Sequence, residues 1–151
     1  MYVGCAMLLA KVGAGSDAKQ WRMASGFVVE LRGGWVFLTA GHCIEEFDKI
    51  VKDSEDNEDA PTLNFLLRVP YTDRPVPLPY ASCFRGSLPV IAKEWEDNQA
   101  QMSDRVLEHA VPLFKKLDVG FIFLPKPVCR QLHDLGCKPL NRAHVRHYDE
   151  S

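Results

Sequence analysis

The twenty residues Ala24-Ser25-Gly26-Phe27-Val28-Val29-Glu30-Leu31-Arg32-Gly33-Gly34-Trp35-Val36-Phe37-Leu38-Thr39-Ala40-Gly41-His42-Cys43 decide how this chain of 151 residues is read. They hold two runs rich in β-branched and aromatic side chains, residues 26–31 and 35–39, each too short for a stable helix. Between them, Arg32-Gly33-Gly34 has the length and composition of a tight hairpin turn. The second run ends in Ala-Gly and a histidine follows at once. A buried antiparallel pair is therefore expected to deliver a titratable ring at the end of a strand.

Working outward, Val119-Gly120-Phe121-Ile122-Phe123-Leu124 reads as a further strand, as do residues 62–69. Residues 3–10 are apolar and also read as a buried strand. A secretory leader cleaved near Gly13-Ala14-Gly15 is the minor alternative, because no Lys or Arg precedes the stretch and Lys11 interrupts it. Ten prolines punctuate the chain, and those at 70, 75, 77, 79 and 89 argue for extended or edge backbone in the middle. Helix is expected over residues 104–109 and 128–135, with Gly136 stopping the second. The balance is all-β with short helices.

An apolar fraction of 46% suits a domain with a real core, and 18 basic against 20 acidic residues leave a formal charge of −2. That balance gives no reason to expect nucleic acid or acidic lipid as a partner. No apolar run reaches the roughly 18 residues of a membrane span, so no membrane partner is expected. Residues 45–59 carry eight acidic side chains and two lysines. Within them, residues 52–59 hold nothing apolar and read as a solvated loop. Calcium could use such carboxylates, but the glycine of an EF-hand loop is missing. The five cysteines are odd in number and widely spaced, so a reducing compartment, the cytoplasm, is the expected location.

With Leu38-Thr39-Ala40-Gly41-His42-Cys43 at its end, the opening stretch resembles the first barrel of the trypsin-like, chymotrypsin-fold serine proteases. The histidine there is the general base, a role the resemblance gives His42. Leu117-Asp118-Val119-Gly120-Phe121-Ile122-Phe123-Leu124 resembles the family's Asp-Val/Ile-Ala-Leu-Leu-x-Leu strand and makes Asp118 the triad carboxylate. A carboxylate bonded to Nδ1 fixes the tautomer and rotamer of the base and stabilises the imidazolium. Taken alone, His42 would read as a surface or core histidine and Asp118 as a strand cap.

The third triad member has no match. Of seven serines only Ser151 follows Asp118, without an oxyanion loop around it, and Ser25 belongs to a strand. Cys137 follows Gly136, but Lys138 stands where a Gly-x-Cys-Gly loop needs glycine. The resemblance thus implies a six-stranded antiparallel β-barrel, the N-terminal half of a double-barrel enzyme of ~200–250 residues. It would occupy residues 1–125 with an acidic and proline-rich insertion at about 45–115. Residues 126–151 would be a connector with a short helix towards a second barrel.

The implied activity is serine-type endopeptidase with a protein or peptide substrate, the chain alone being expected to be inactive. A non-catalytic barrel used as a binding or scaffold module is the alternative. On the half-enzyme reading, an uncovered apolar face near His42, able to self-associate, is expected. Cys43 sits where secreted relatives place half a disulfide, yet the partner position is Phe27, so a free thiol is expected. Cys129, His133 and Cys137 stand at i, i+4 and i+8, followed by His144 and His147, and could hold zinc. Gly136 interrupts that helix, so the favoured reading packs the cysteines as small apolar groups and leaves His133 in solvent. No metal or cofactor is expected.

Overall fold

The computed structural model describes residues 4–12, 19–56 and 63–141. Strands β1 (Cys5–Val12), β2 (Lys19–Leu31) and β3 (Gly34–Ala40) form a meander that runs into helix α1 (Gly41–Glu55). Then come β4 (Leu63–Arg68), β5 (Val76–Leu78), β6 (Arg85–Ser87), α2 (Leu88–Asp97), α3 (Val111–Lys116), β7 (Val119–Phe123) and α4 (Lys126–Asp134). The seven strands make one antiparallel sheet in the order β5-β4-β1-β2-β3-β7-β6. The β2–β3 turn is made by Arg32 and Gly33, both at positive φ, which gives the twist a two-residue hairpin requires.

The sheet cannot be flat. Its outermost strands, β5 and β6, are consecutive in the chain and joined only by residues 79–84, part of which is wound into a 3-10 turn. Six strand spacings of about 4.8 Å would put flat edges ~29 Å apart, whereas this connection reaches ~24 Å even when fully extended. The sheet therefore curls into a half-barrel. Among the described residues the sheet has seven strands rather than the expected six, because residues 63–87 supply the two three-residue strands β5 and β6 as well as β4.

Alternation along the strands sorts side chains to two faces. Leu8, Ala24, Val28, Phe37, Leu67 and Ile122 point into the concave side, where they meet Ile44, Phe47 and Val51 of α1 and Val128 and Leu132 of α4 in one core. Phe47 packs edge-on against Phe65 (5.6 Å) and Tyr80 (6.0 Å), and Phe65 stacks on Tyr80 at 4.1 Å.

Helix α1 departs from the sequence reading. Residues 52–55 were expected in a solvated loop, but Ile44, Phe47 and Val51 recur at helical spacing and carry the helix through them, with Lys52, Asp53 and Glu55 on its wet side. The rest of that loop, residues 57–59, lies outside the described residues. Nor were α2 and α3 expected as such. The predicted helix at 104–109 falls inside a longer helical stretch that includes a π turn at Val106–Ala110. At the other end α4 stops at Gly136 (φ 85°) as expected, with Cys137 N–H donating to the Leu132 carbonyl. The segment after α4 packs on the body, since Leu140 pairs in parallel with Val29 at the edge of β2.

Candidate functional site

His42 occupies the first turn of α1, directly after β3. A helix start leaves backbone N–H groups without intrahelical partners, and Ala40 at the N-cap has no side chain to accept from them. Asp118, just ahead of the neighbouring strand β7, does this work. Its Oδ1 accepts the His42 backbone N–H at 2.9 Å and its carbonyl accepts Gly41 N–H at 3.0 Å. The second carboxylate oxygen, Oδ2, lies 2.5 Å from His42 Nδ1. The pairing Ala40↔Val119 brings the two strand ends side by side. Glycine at 41 is required, because a Cβ there would lie 2.8 Å from Asp118 Oδ1 and 3.2 Å from the Ser87 side chain.

The pair is open to solvent, with side-chain exposures of 63% for His42 and 52% for Asp118. The hydrogen bond and charge of Asp118 raise the His42 imidazole above its ordinary value against slight desolvation, and Glu46 and Glu45 add to the rise. In return, the hydrogen bond from His42 lowers the Asp118 carboxyl, assisted by the His42 and Gly41 backbone N–H groups. With Nδ1 donating to Asp118, the neutral ring presents the bare Nε2 lone pair outward. Among the described residues no side chain hydrogen-bonds to Nε2. Chemically the pair can take up a proton at Nε2.

None of the described serines is bonded to it. Ser87 is buried and caps α2, Ser103 accepts from Val106 N–H, and Ser82 donates to the Pro79 carbonyl. Ser25 is exposed on β2 and Ser54 lies on α1, while Ser16 and Ser151 fall outside the described residues. Cys43 is a free thiol, as expected, and burial followed by the charges of Glu46 and Asp118 pushes it up, away from thiolate. Cys137 is 5% exposed in the core and is likewise pushed up by burial. Cys129 packs beside that core while His133 faces water, and no group of three metal-ligating side chains occurs among the described residues. His144 and His147 lie outside them.

Sequence reasoning brought His42 and Asp118 to notice but missed Asp118 as a cap for α1. The missing cap at Ala40 was the available signal. It also missed a second carboxylate contact on α1, between Asp48, Tyr80 and Arg85. Comparison of the chain with protein-family models, with curated proteins and with solved structures finds no match.

Proposed function

We propose that this chain carries the proton-transfer half of a trypsin-like serine peptidase, in a first barrel of chymotrypsin type. His42 is the general base, Asp118 orients it, and the nucleophile with its oxyanion donors is supplied by polypeptide other than these 151 residues. The observation that carries this reading is the two-point grip of Asp118, one oxygen on the His42 backbone and the other on Nδ1. That grip holds the ring in the tautomer a base needs and favours the imidazolium formed when it takes a proton.

Fluorophosphonate labelling tests it. The 151-residue chain stays unlabelled and hydrolyses no fluorogenic peptide, whereas the product of the gene's complete reading frame is labelled, and His42→Gln abolishes that label. An unlabelled complete product removes the hydrolase reading. A labelled 151-residue chain removes the assignment of the nucleophile elsewhere.

A second reading, a non-catalytic binding or scaffold module, draws on the convex side of the sheet. There Cys5, Phe27, Leu38 and Phe121 stand in one register row across four strands, next to Phe123 and Phe84. Phe27 and Phe84 are 51% and 71% exposed. An apolar row of this extent is a surface for a protein partner or for self-association. Sedimentation of the chain against Phe27→Ser/Phe84→Ser distinguishes the cases: association that the double variant leaves unchanged does not use this face.

A further inference from the structure

Asp48 lies six residues beyond His42 on α1, about 9 Å along the helix axis, in a cluster that the proton chemistry of His42 does not use. Asp48 Oδ1 accepts from the Tyr80 hydroxyl at 2.8 Å and from Arg85 Nε at 2.6 Å. Arg85 Nη1 donates to the carbonyls of Tyr80, Ala81 and Cys83 at 3.0, 3.2 and 3.3 Å. The guanidinium lies 4.4 Å over the Tyr80 ring, and the Tyr80 hydroxyl also approaches the Ile44 carbonyl at 3.4 Å. Burial, then the hydrogen bond to Asp48, drives the Tyr80 phenol far above its ordinary range. Burial opposes the Arg85 cation, and the hydrogen bond and charge of Asp48 together with the contacts to Tyr80 outweigh it. Tyr80 and Arg85 thus keep their protons at any pH the protein meets.

The cluster ties α1 to the strands that carry Asp118. Arg85 on β6 pairs with Ile122 on β7, whose first residue follows Asp118. A first fixed point lies at the start of the helix, where Gly41 and Gly120 are in close approach and Ile44 covers Gly120. A single close approach is a pivot; a second, nearly two turns away, sets the direction and roll of the axis. We propose that Asp48, Arg85 and Tyr80 are positioning residues for His42, pinning the body of α1 to β6 so that its first turn presents the imidazole to Asp118. The inference rests on the reading of His42 and Asp118 as a working pair.

Histidine-selective NMR titration of the folded chain tests it without any need for activity, with His42 assigned by difference from His42→Gln. In the parent protein the His42 midpoint lies above that of an ordinary histidine. Asp48→Asn and Arg85→Met are expected to lose half or more of that elevation, Tyr80→Phe a smaller part, and Arg85→Lys to fall between parent and Arg85→Met because a point charge cannot reproduce the guanidinium fork. Simple removal of the Arg85 cation would raise the midpoint, so a fall carries the positioning signature. Val128→Ala, on α4, is the control for general loosening and leaves the midpoint in place.

An elevated parent midpoint that Asp48→Asn and Arg85→Met leave unchanged overturns the positioning role alone. So does an equal fall in Val128→Ala. A parent midpoint at the ordinary value overturns the working pair and the positioning role together. Where Asp48→Asn fails to fold, Tyr80→Phe decides the matter, since it removes one hydroxyl from an intact ring stack.

Discussion

At its first turn α1 meets a carboxylate from another strand, with both side chains of the pair more than half exposed; two turns on, its own Asp48 meets a guanidinium only 19% exposed. Both are carboxylate–cation contacts on one helix, and they differ in what water does to them. Screening leaves the His42–Asp118 pair with little to add to stability, while Asp118 raises the imidazole above its ordinary value. The Arg85 guanidinium stays charged and the Asp48–Arg85 contact is partly withdrawn from solvent, so it serves geometry. Exposure and the choice of histidine or arginine set the two contacts apart, and on the proposed reading the first serves chemistry and the second architecture.

The largest effect that can break this contrast is on turnover. In an assembly supplying the nucleophile, Asp118→Asn is expected to lower kcat by about 10⁴-fold, the scale on which a triad loses its orienting carboxylate. Steady-state hydrolysis of a fluorogenic ester measures it, and a loss under tenfold removes Asp118 from its role. Next is stability. Arg85→Met leaves Asp48 and Tyr80 short of a partner and should cost about 1–2 kcal/mol in denaturant unfolding, the lower end because Asp48 is partly wet. Asp118→Asn should hardly move the midpoint of the same curve, and equal shifts would erase the distinction.

A smaller and sharper effect comes from Gly41→Ala. The added methyl displaces the carboxylate, so the His42 midpoint should drop towards the ordinary ~6.5, the remainder being held up by Glu45 and Glu46. An unchanged titration would mean that the approach at Gly41 is not what seats Asp118.

The smallest effect is the pH dependence of folding. His42 is raised in the folded state, so its contribution is whole below the unfolded value of ~6.5 and goes as pH climbs through the folded one. Asp118 is lowered, so its contribution is whole above ~3.9 and disappears as pH falls through the folded value. The stability difference between the parent and His42→Gln should therefore peak in mild acid, about pH 4–6.5, and shrink towards alkaline pH. A difference that grows with pH would contradict the assigned pairing.

The same contrast separates what could be read in the sequence from what could not. The hairpin at Arg32-Gly33, strands β3 and β7 and the helix stop at Gly136 rest on local signals, alternation and turn residues, whereas the pair His42 and Asp118 came to notice only through the resemblance of the runs around them to trypsin-like proteases. Helix α1 carried such a signal in Ile44, Phe47 and Val51, but the dense charge between and after them masked it. Strands β5 and β6 carried almost none. They are three residues long, β5 holding Pro77 between Pro75 and Pro79 as the edge backbone those prolines suggested, and they close the two edges of the curled sheet at the ends of residues 79–84. The Asp48–Arg85 contact joins residues 37 apart, and no composition or periodicity points to it.

The capping of α1 by Asp118 also bears on the order in which the protein assembles. The N–H group at the start of the helix waits for an acceptor 76 residues later in the chain. Until β7 has been made and has added to β3, the first turn of α1 has only water to bond, while its later turns can already pack Phe47 against Phe65. The histidine is therefore expected to be seated late in folding, after β7 has paired with β3. Its backbone amide should be among the first in α1 to exchange with solvent deuterium. Partial unfolding would then extinguish the proton-transfer pair before the sheet itself comes apart.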